Sequence, residues 1–482
     1  MRDFILGIVI LIVGYFTYSK IVEKKFVIDA SSETPAKRLQ DGVDYVPMHP
    51  AKIFLVQLLN IAGLGPIFGA IQGALFGPAT FLWIAFGTIL AGGVHDYFSG
   101  MVSLRHNGKS ISEVTGIYLG NKARQVMRVF SVILLVLTGT VFMTGPAQLL
   151  KDLGFFGIES LNVWLAIIFV YYVLATIVLV DKIIGKIYPL FGASLIIMAL
   201  GVGVGLVVGD FALPEFTLKS MHPEGLPIWA MLFTTIACGA ISGFHATQSP
   251  MMARCLTNEK YGRPVFYGAM VAEGIIAMVW AAAGMAFYHG IPELGKVLAA
   301  AGPGGAINEI SFSIMGTVGG ILAMIGVIVC PITSGDTAFR SARLTIADAF
   351  DKSQRDIKSR LLFAAPLFIV AFLLTRIDFQ IIWRYFAFSN QALATIALWT
   401  GSSFLARNSR RHWITTLPAI FMTAVCSTYI LQAPEGFGLS TSIAYPLGLV
   451  IAVIISVLML LLLKKQHGVV VMEMDKRVDT VN

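Results

Sequence analysis

The chain of 482 residues is 56% hydrophobic and only 13% charged, against about a quarter charged in ordinary soluble domains, so a soluble enzyme with a charged surface is excluded. Its net charge of +8 is carried between apolar stretches rather than along one stripe, which is a membrane topology signal and not a nucleic-acid surface. Cys238, Cys255, Cys330 and Cys426 lie within or at the edges of apolar stretches without metal-ligand or secretory spacing, so neither a disulfide framework nor a resident metal is expected.

Stretches long enough to cross a hydrocarbon core about 30 Å thick recur along the whole length. About thirteen spans are predicted, at 4–19, 53–77, 79–104, 127–150, 162–180, 188–208, 228–250, 265–288, 308–335, 361–375, 379–405, 413–432 and 442–463. The first is followed by a basic segment and has no small-residue cleavage site, so it reads as a retained helix rather than a signal peptide. Lys and Arg gather in alternate loops, leaving Arg2, Lys151, Lys219, Lys296 and Arg376 on the other side and Arg384 inside a span. This asymmetry places the N-terminus outside and the C-terminus in the cytoplasm.

Two spans are interrupted near their middle. The second carries Asn60, Gly63, Gly65 and Pro66, and the seventh carries Gly239, Ser242, Gly243 and His245. A broken helix frees backbone groups that hydrocarbon cannot satisfy, so such breaks persist only against protein or a cavity. Gly and Pro in one membrane helix often mean only a kink or close packing, but these two breaks occupy matching places. Spans two to six form one set of five and spans seven to eleven another, each beginning with its broken helix. Five is odd, so the sets run through the membrane in opposite directions, the inverted repeat of secondary transporters. The expected organisation is therefore 1–52 as a peripheral helix and cytoplasmic linker, 53–208 as the first five-helix repeat, 228–405 as the inverted second, and 406–482 as two further helices and a cytoplasmic tail.

Half-helices restarting near Pro66 and Ser242 direct unpaired N–H groups and a positive dipole end inward, which favours a carboxylate. Asn60, Gly63, Gly65, Pro66, Ser242, Gly243 and His245 are the expected substrate-binding positions, His245 alternatively relaying a proton, with Asn390 and Gln391 as amide ligands or interhelical glue. Carbonyls about Ala62 suit a cation; Pro331, Thr333 and Ser334 are read as interrupting the ninth span and adding hydroxyl ligands, unless those hydroxyls only bond back to their own helix. Glu273, in the eighth span among Val, Ala, Gly and Ile, is a candidate proton carrier, with a structural hydrogen bond to a neighbouring helix as the alternative. His95 and Asp96 are read toward the cytoplasmic end of the third span as part of a proton path, with a metal site as the alternative, for which two adjacent ligand types do not by themselves make a coordination sphere. Asp336 is an ion-pair partner for Arg340 one turn on.

Asp44-Tyr-Val-Pro-Met-His-Pro, Asn60-Ile-Ala-Gly-Leu-Gly-Pro-Ile, Gly92-Gly-Val-His-Asp-Tyr, Phe244-His-Ala-Thr-Gln-Ser-Pro and Thr333-Ser-Gly-Asp-Thr-Ala-Phe-Arg together resemble the carbon starvation protein A (CstA) family from about residue 40 to about residue 430. The resemblance implies an all-α, LeuT-like fold of the amino acid, polyamine and organocation superfamily, with peripheral helices added to its 5+5 repeat. It further implies uptake of pyruvate or short peptides across the bacterial inner membrane, coupled to H⁺; the carbonyls about Ala62 keep Na⁺ as the alternative, and no cofactor is expected. The partners are then the small-molecule substrate and the lipid bilayer. The chain is shorter than the larger members toward the C-terminus. An intramembrane enzyme is the rival class, but there is no His-Glu-x-x-His run and no Gly-x-Ser-x-Gly elbow; a channel is the third.

Overall fold

The computed structural model describes residues 1–42, 44–177, 181–350, 352, 354 and 356–467, without the side chains of 178–190. Residues 178–180 of the fifth predicted span and 468–482 of the expected cytoplasmic tail thus lie outside the described residues. Helix dominates, and no strand occurs among the described residues. The main helices are α1 (Arg2–Phe26), α2 (Pro50–Ile61), α3 (Gly65–Phe76), α4 (Ala79–Arg105), α5 (Asn121–Asp152), α6 (Leu161–Ile177), α7 (Asp181–Val208), α8 (Gly243–Ala253), α9 (Glu259–Phe287), α10 (Ile291–Ala349), α11 (Ile357–Leu374), α12 (Phe379–Arg407), α13 (Trp413–Gln432) and α14 (Thr441–Gln466).

Nine helices among the described residues are long and apolar enough to cross a membrane, ten if the pair α2 and α3, bent by 49°, counts as one. The remaining predicted spans are helical where expected but fall short of that test. α6 is a shorter apolar helix, and the segment 228–253 is broken. α12 is too polar because it is interior: Ser389, Asn390, Gln391, Thr400, Ser402 and Ser403 are all buried on it, where a surrounding bundle rather than lipid must satisfy them.

Local chemistry sets the helix ends that matter. Pro50 and Pro66 occupy first helical turns, where a missing N–H costs nothing. Asp378 caps α12 by accepting from the backbone of Gln380 and Ile381 at 2.9 and 3.3 Å. α10 changes direction at Gly302 and Gly316, both at left-handed φ near +66°, a conformation that glycine takes without a Cβ penalty. Beyond Gly316 it continues as helix through Pro331, Thr333 and Ser334 to Ala349. The expected interruption at Pro331 is therefore incorrect: a single proline is tolerated inside a packed membrane helix, and the bend falls where glycine permits it.

α1 packs by one face, with Phe4 and Leu11 buried and Gly7 and Gly14 lying against Met278 and Ile89, while Leu6, Val13 and Phe16 are exposed. Behind it, α4 and α9 press on the broken helices so closely that a Cβ at Gly92 would stand 2.1 Å from the Ala240 carbonyl oxygen.

Candidate functional site

Residues 62–64 separate α2 from α3, and residues 236–242 separate a short helical segment ending at Thr235 from α8. Gly239 has φ +89° inside the second break. The two breaks touch. A Cβ at Gly65 would meet Cys238 at 2.3 Å, and one at Gly239 would lie 3.6 Å from the Cα of Pro66. Gly65, Pro66 and Gly243 belong to the first turns after the breaks, so the unwound residues sit slightly N-terminal to the expected ones. Among the described residues, the N–H groups of Gly63 and Leu64 at one break and of Ser242 and Gly243 at the other have no acceptor.

A buried polar chain runs behind the second break. Asp96 receives Nδ1 of His95 on Oδ1 at 2.8 Å and Nδ1 of His245 on Oδ2 at 2.9 Å. Nε2 of His245 stands 3.3 Å from Oε2 of Glu273, and neither atom is aligned for a hydrogen bond. The other oxygen of Glu273 accepts from the backbone N–H of Gly239 at 3.0 Å, and the Thr88 hydroxyl donates to the Gly239 carbonyl at 2.8 Å. All four ionisable side chains are buried. His95 and Asp96, in the C-terminal half of α4, are buried in the interior against α8. The hydropathy pattern of α4 could not reveal this, because the depth of a side chain depends on which helix faces it.

Asn390 and Gln391 hold the break together. Asn390 Oδ1 accepts from the Ser242 hydroxyl at 2.7 Å and from the N–H of Phe244 at 2.9 Å, capping α8, while its amide donates to the Phe386 carbonyl at 2.9 Å. Gln391 donates to the Phe233 carbonyl at 2.8 Å, on the other half of the broken helix. Trp83 donates to the Ile236 carbonyl at 2.9 Å and Gln57 to Ser249 at 3.3 Å; sequence reading singled out neither, and a polar atom in an apolar span was their only signal.

At the first break, Ser334 donates to the Leu59 carbonyl at 3.1 Å and the Cys330 thiol lies 3.2 and 3.5 Å from the carbonyls of Leu59 and Ala62. Thr333 bonds back to the Cys330 carbonyl at 2.9 Å. The side-chain amide oxygen of Asn60, Oδ1, is buried without a partner. Asp336 and Arg340 stand 3.6 Å apart, on the expected turn.

One face of the molecule opens toward the breaks. A cavity of about 410 Å³ is lined by Gln72, Met231, Thr235, Trp383, Arg384 and Glu435 among others, with Arg384 paired to Glu435 at 3.2 Å. Toward the opposite face, the space beside Thr247, Met251 and Asp348 measures only about 50 Å³. Between them the rings of Trp383, Phe386, Phe142 and Phe244 follow one another at centroid separations of 5.4 to 6.1 Å, and Phe142 closes directly on Gly63.

The architecture matches solved membrane proteins. An Eremococcus coleocola manganese transporter superposes with a TM-score of 0.51 at 14% identity, covering 91% of this chain and 97% of that one. The inward-facing form of Mhp1 does so with a TM-score of 0.52 at 16% identity, covering 88% and 94%. The fold is thus LeuT-like, and the chain is a secondary transporter rather than an enzyme. It belongs to the family described as Carbon starvation protein CstA, which matches residues 3–160, 152–291 and 290–429. Its relatives include an uncharacterized membrane protein of Haemophilus influenzae, 45% identical over 62% of this chain and 95% of that one. The peptide transporter CstA of Bacillus subtilis is 27% identical over 85% and 86%. The pyruvate/proton symporter BtsT of Escherichia coli is 28% identical over 56% of this chain, which spans 46% of BtsT.

Proposed function

We propose that this carrier takes up a small carboxylate-bearing nutrient, pyruvate or a short peptide, together with protons, across a bacterial inner membrane, with its N-terminus outside and its C-terminus in the cytoplasm. The carrying observation is the contact between two unwound segments that hold free N–H groups at Gly63, Leu64, Ser242 and Gly243. Such groups are suited to a carboxylate because no charged side chain has to be desolvated to meet it. On this reading the nutrient enters through the cavity that Arg384 lines, displaces Phe142 from Gly63, and docks its carboxylate between the breaks.

The proton is carried by the Asp96–His245–Glu273 chain, one link of which, Glu273, also caps the unwound Gly239. Binding of a proton there alters the charge beside the substrate without any further ion. A zwitterionic peptide with one proton, or pyruvate with two, carries one net positive charge inward and so gains about 2.3 kcal/mol per 100 mV, whereas pyruvate with one proton is electroneutral and draws on the pH gradient alone. The names of the relatives, a peptide transporter and a pyruvate/proton symporter, support the substrate class and the coupling ion. Sodium at the carbonyls of Leu59 and Ala62 with Ser334 is the alternative. Cys330 weighs against it, since a hard cation prefers oxygen and a thiol occupies the approach to both carbonyls.

Purified protein in proteoliposomes tests this. Labelled pyruvate and a labelled dipeptide are offered for counterflow, and then for uptake under imposed H⁺ or Na⁺ gradients. We expect saturable exchange of one substrate class and accumulation driven by H⁺ alone; absence of exchange for both removes the reading, and accumulation driven only by Na⁺ moves the coupling site to Ser334.

A further inference from the structure

Cys238 has no part in the transport cycle proposed above, yet it stands at the centre of the second break. Ligand atoms of Cys238, His245 and Glu273 all lie within 4.8 Å of one another, on three fully enclosed side chains. Two of those atoms, Nε2 of His245 and Oε2 of Glu273, are buried with no hydrogen-bond partner and face each other at 3.3 Å. Unsatisfied polar atoms in a dry interior are costly, and a shared gap between them is where a further group gains most. Nδ1 of the same imidazole is held by Asp96 at 2.9 Å. In the neutral ring, a proton on Nδ1 shared with Asp96 leaves Nε2 as the lone-pair nitrogen, the arrangement in which a carboxylate supports a metal-bound histidine.

We propose that Cys238, His245 and Glu273 form a binding site for a soft divalent cation of the zinc type, and that its occupancy halts transport. A thiolate, an imidazole and one carboxylate oxygen are a borderline-soft donor set with three protein ligands and an open fourth position. Mg²⁺ and Ca²⁺, which require oxygen, are poorly served by it. The ligand charges also suit a buried ion: Cys⁻ and Glu⁻ neutralise M²⁺ while histidine stays neutral, and the thiol proton is released on binding. The site lies across the break, with Cys238 in the unwound segment, His245 on the first turns of α8 and Glu273 on α9. A bound ion ties these together and occupies the atoms that the coupling proton uses. This second clause rests on the proposed proton route; the binding clause does not.

Sequence spacing hides the site, because Glu273 is far from Cys238 along the chain and joins it only when α9 packs on the break.

The test separates the two clauses. Full-length metal-free protein is dialysed against ZnCl₂, MgCl₂ or CaCl₂ and the bound metal counted, with Cys238→Ser and Cys426→Ser as variants. We expect about one Zn²⁺ per chain in the wild type and in Cys426→Ser, affinity weaker by tenfold or more in Cys238→Ser, and no retention of the two hard ions. Zinc should raise the melting midpoint of the wild type and not of Cys238→Ser, which shows that the ion engages folded protein. Equal zinc binding by wild type and Cys238→Ser, or none by the wild type, overturns the site. In proteoliposomes, counterflow by the wild type should fall at least tenfold with saturating zinc and recover with a chelator; zinc that binds without slowing counterflow overturns the inhibitory clause. If metal-free protein exchanges no substrate, the transport reading fails and the dialysis result alone decides the site.

Discussion

Replacing Asn390 by Ala removes the clasp that holds the second break closed. Its side-chain oxygen satisfies two donors at once, the Ser242 hydroxyl at 2.7 Å and the Phe244 N–H at 2.9 Å, in a region sealed from solvent. Each buried donor left unpaired costs about 1 to 3 kcal/mol. The Phe386 carbonyl that loses the amide remains within its helix, and the Ser242 hydroxyl can rotate to another acceptor. The net destabilisation should then lie near the low end of the sum, about 2 to 4 kcal/mol. Asn390→Asp keeps the acceptor and should recover most of the loss in melting midpoint, though its added charge raises the cost of burial. The assay is thermal unfolding of detergent-purified protein, with counterflow measured on the same preparations. Unfolding of Asn390→Ala indistinguishable from wild type, with counterflow within twofold, would refute the claim that this amide holds the break in shape.

Glu273→Gln retains an acceptor for the Gly239 N–H but cannot carry a proton, so counterflow should persist while accumulation driven by a pH gradient of one unit, tenfold at most for one proton, disappears; gradient-driven accumulation at the wild-type level contradicts the proton route. Arg384→Gln withdraws the positive charge from the entry cavity and should raise KM for a carboxylate substrate several-fold with kcat nearly unchanged, a split that initial rates over a concentration series resolve. His106 lies in the loop after α4 with Nε2 2.8 Å from the Tyr118 hydroxyl; burial first, then Lys109 and Arg105, pushes its imidazole down to about 4. An unfolded imidazole takes its proton near 6.5, so the unfolded state binds more protons between those values and stability should fall as pH drops from about 6.5 toward about 4. Melting midpoints across that range should slope for the wild type and flatten for His106→Gln; equal slopes dispose of the assignment.

Much of this was legible in the residues. The helix order, the breaks at Gly63 to Pro66 and Gly239 to Gly243, and the pairing of Asp336 with Arg340 follow from composition, glycine and proline placement and one-turn spacing, all of which act over a few residues. The boundaries slipped by up to three residues because a helix restart is set by caps such as Asn390, which lies far along the chain. Pro331 misled for a related reason, since its neighbours in the bundle keep the helix whole.

His95, Asp96, His245 and Glu273 are each marked in the sequence by being ionisable in apolar surroundings, the first two and Glu273 for proton coupling and His245 for substrate or a proton, but nothing in the sequence joins them into one chain. Their union is a property of packing: α4, α8 and α9 bring the four to one line, and only that proximity gives Asp96 two histidines and Glu273 a share in the break. Cys238 likewise reads as a bland core residue until α9 arrives beside it. Local chemistry along the chain determined that this protein crosses a bilayer and placed two of its helix breaks to within a few residues, because hydrocarbon penalises each charge and each free backbone group independently of its neighbours. Which polar groups compensate one another, and so what the interior can bind, was decided by tertiary contacts between segments distant in sequence, because compensation inside a membrane requires partners within about 3 Å.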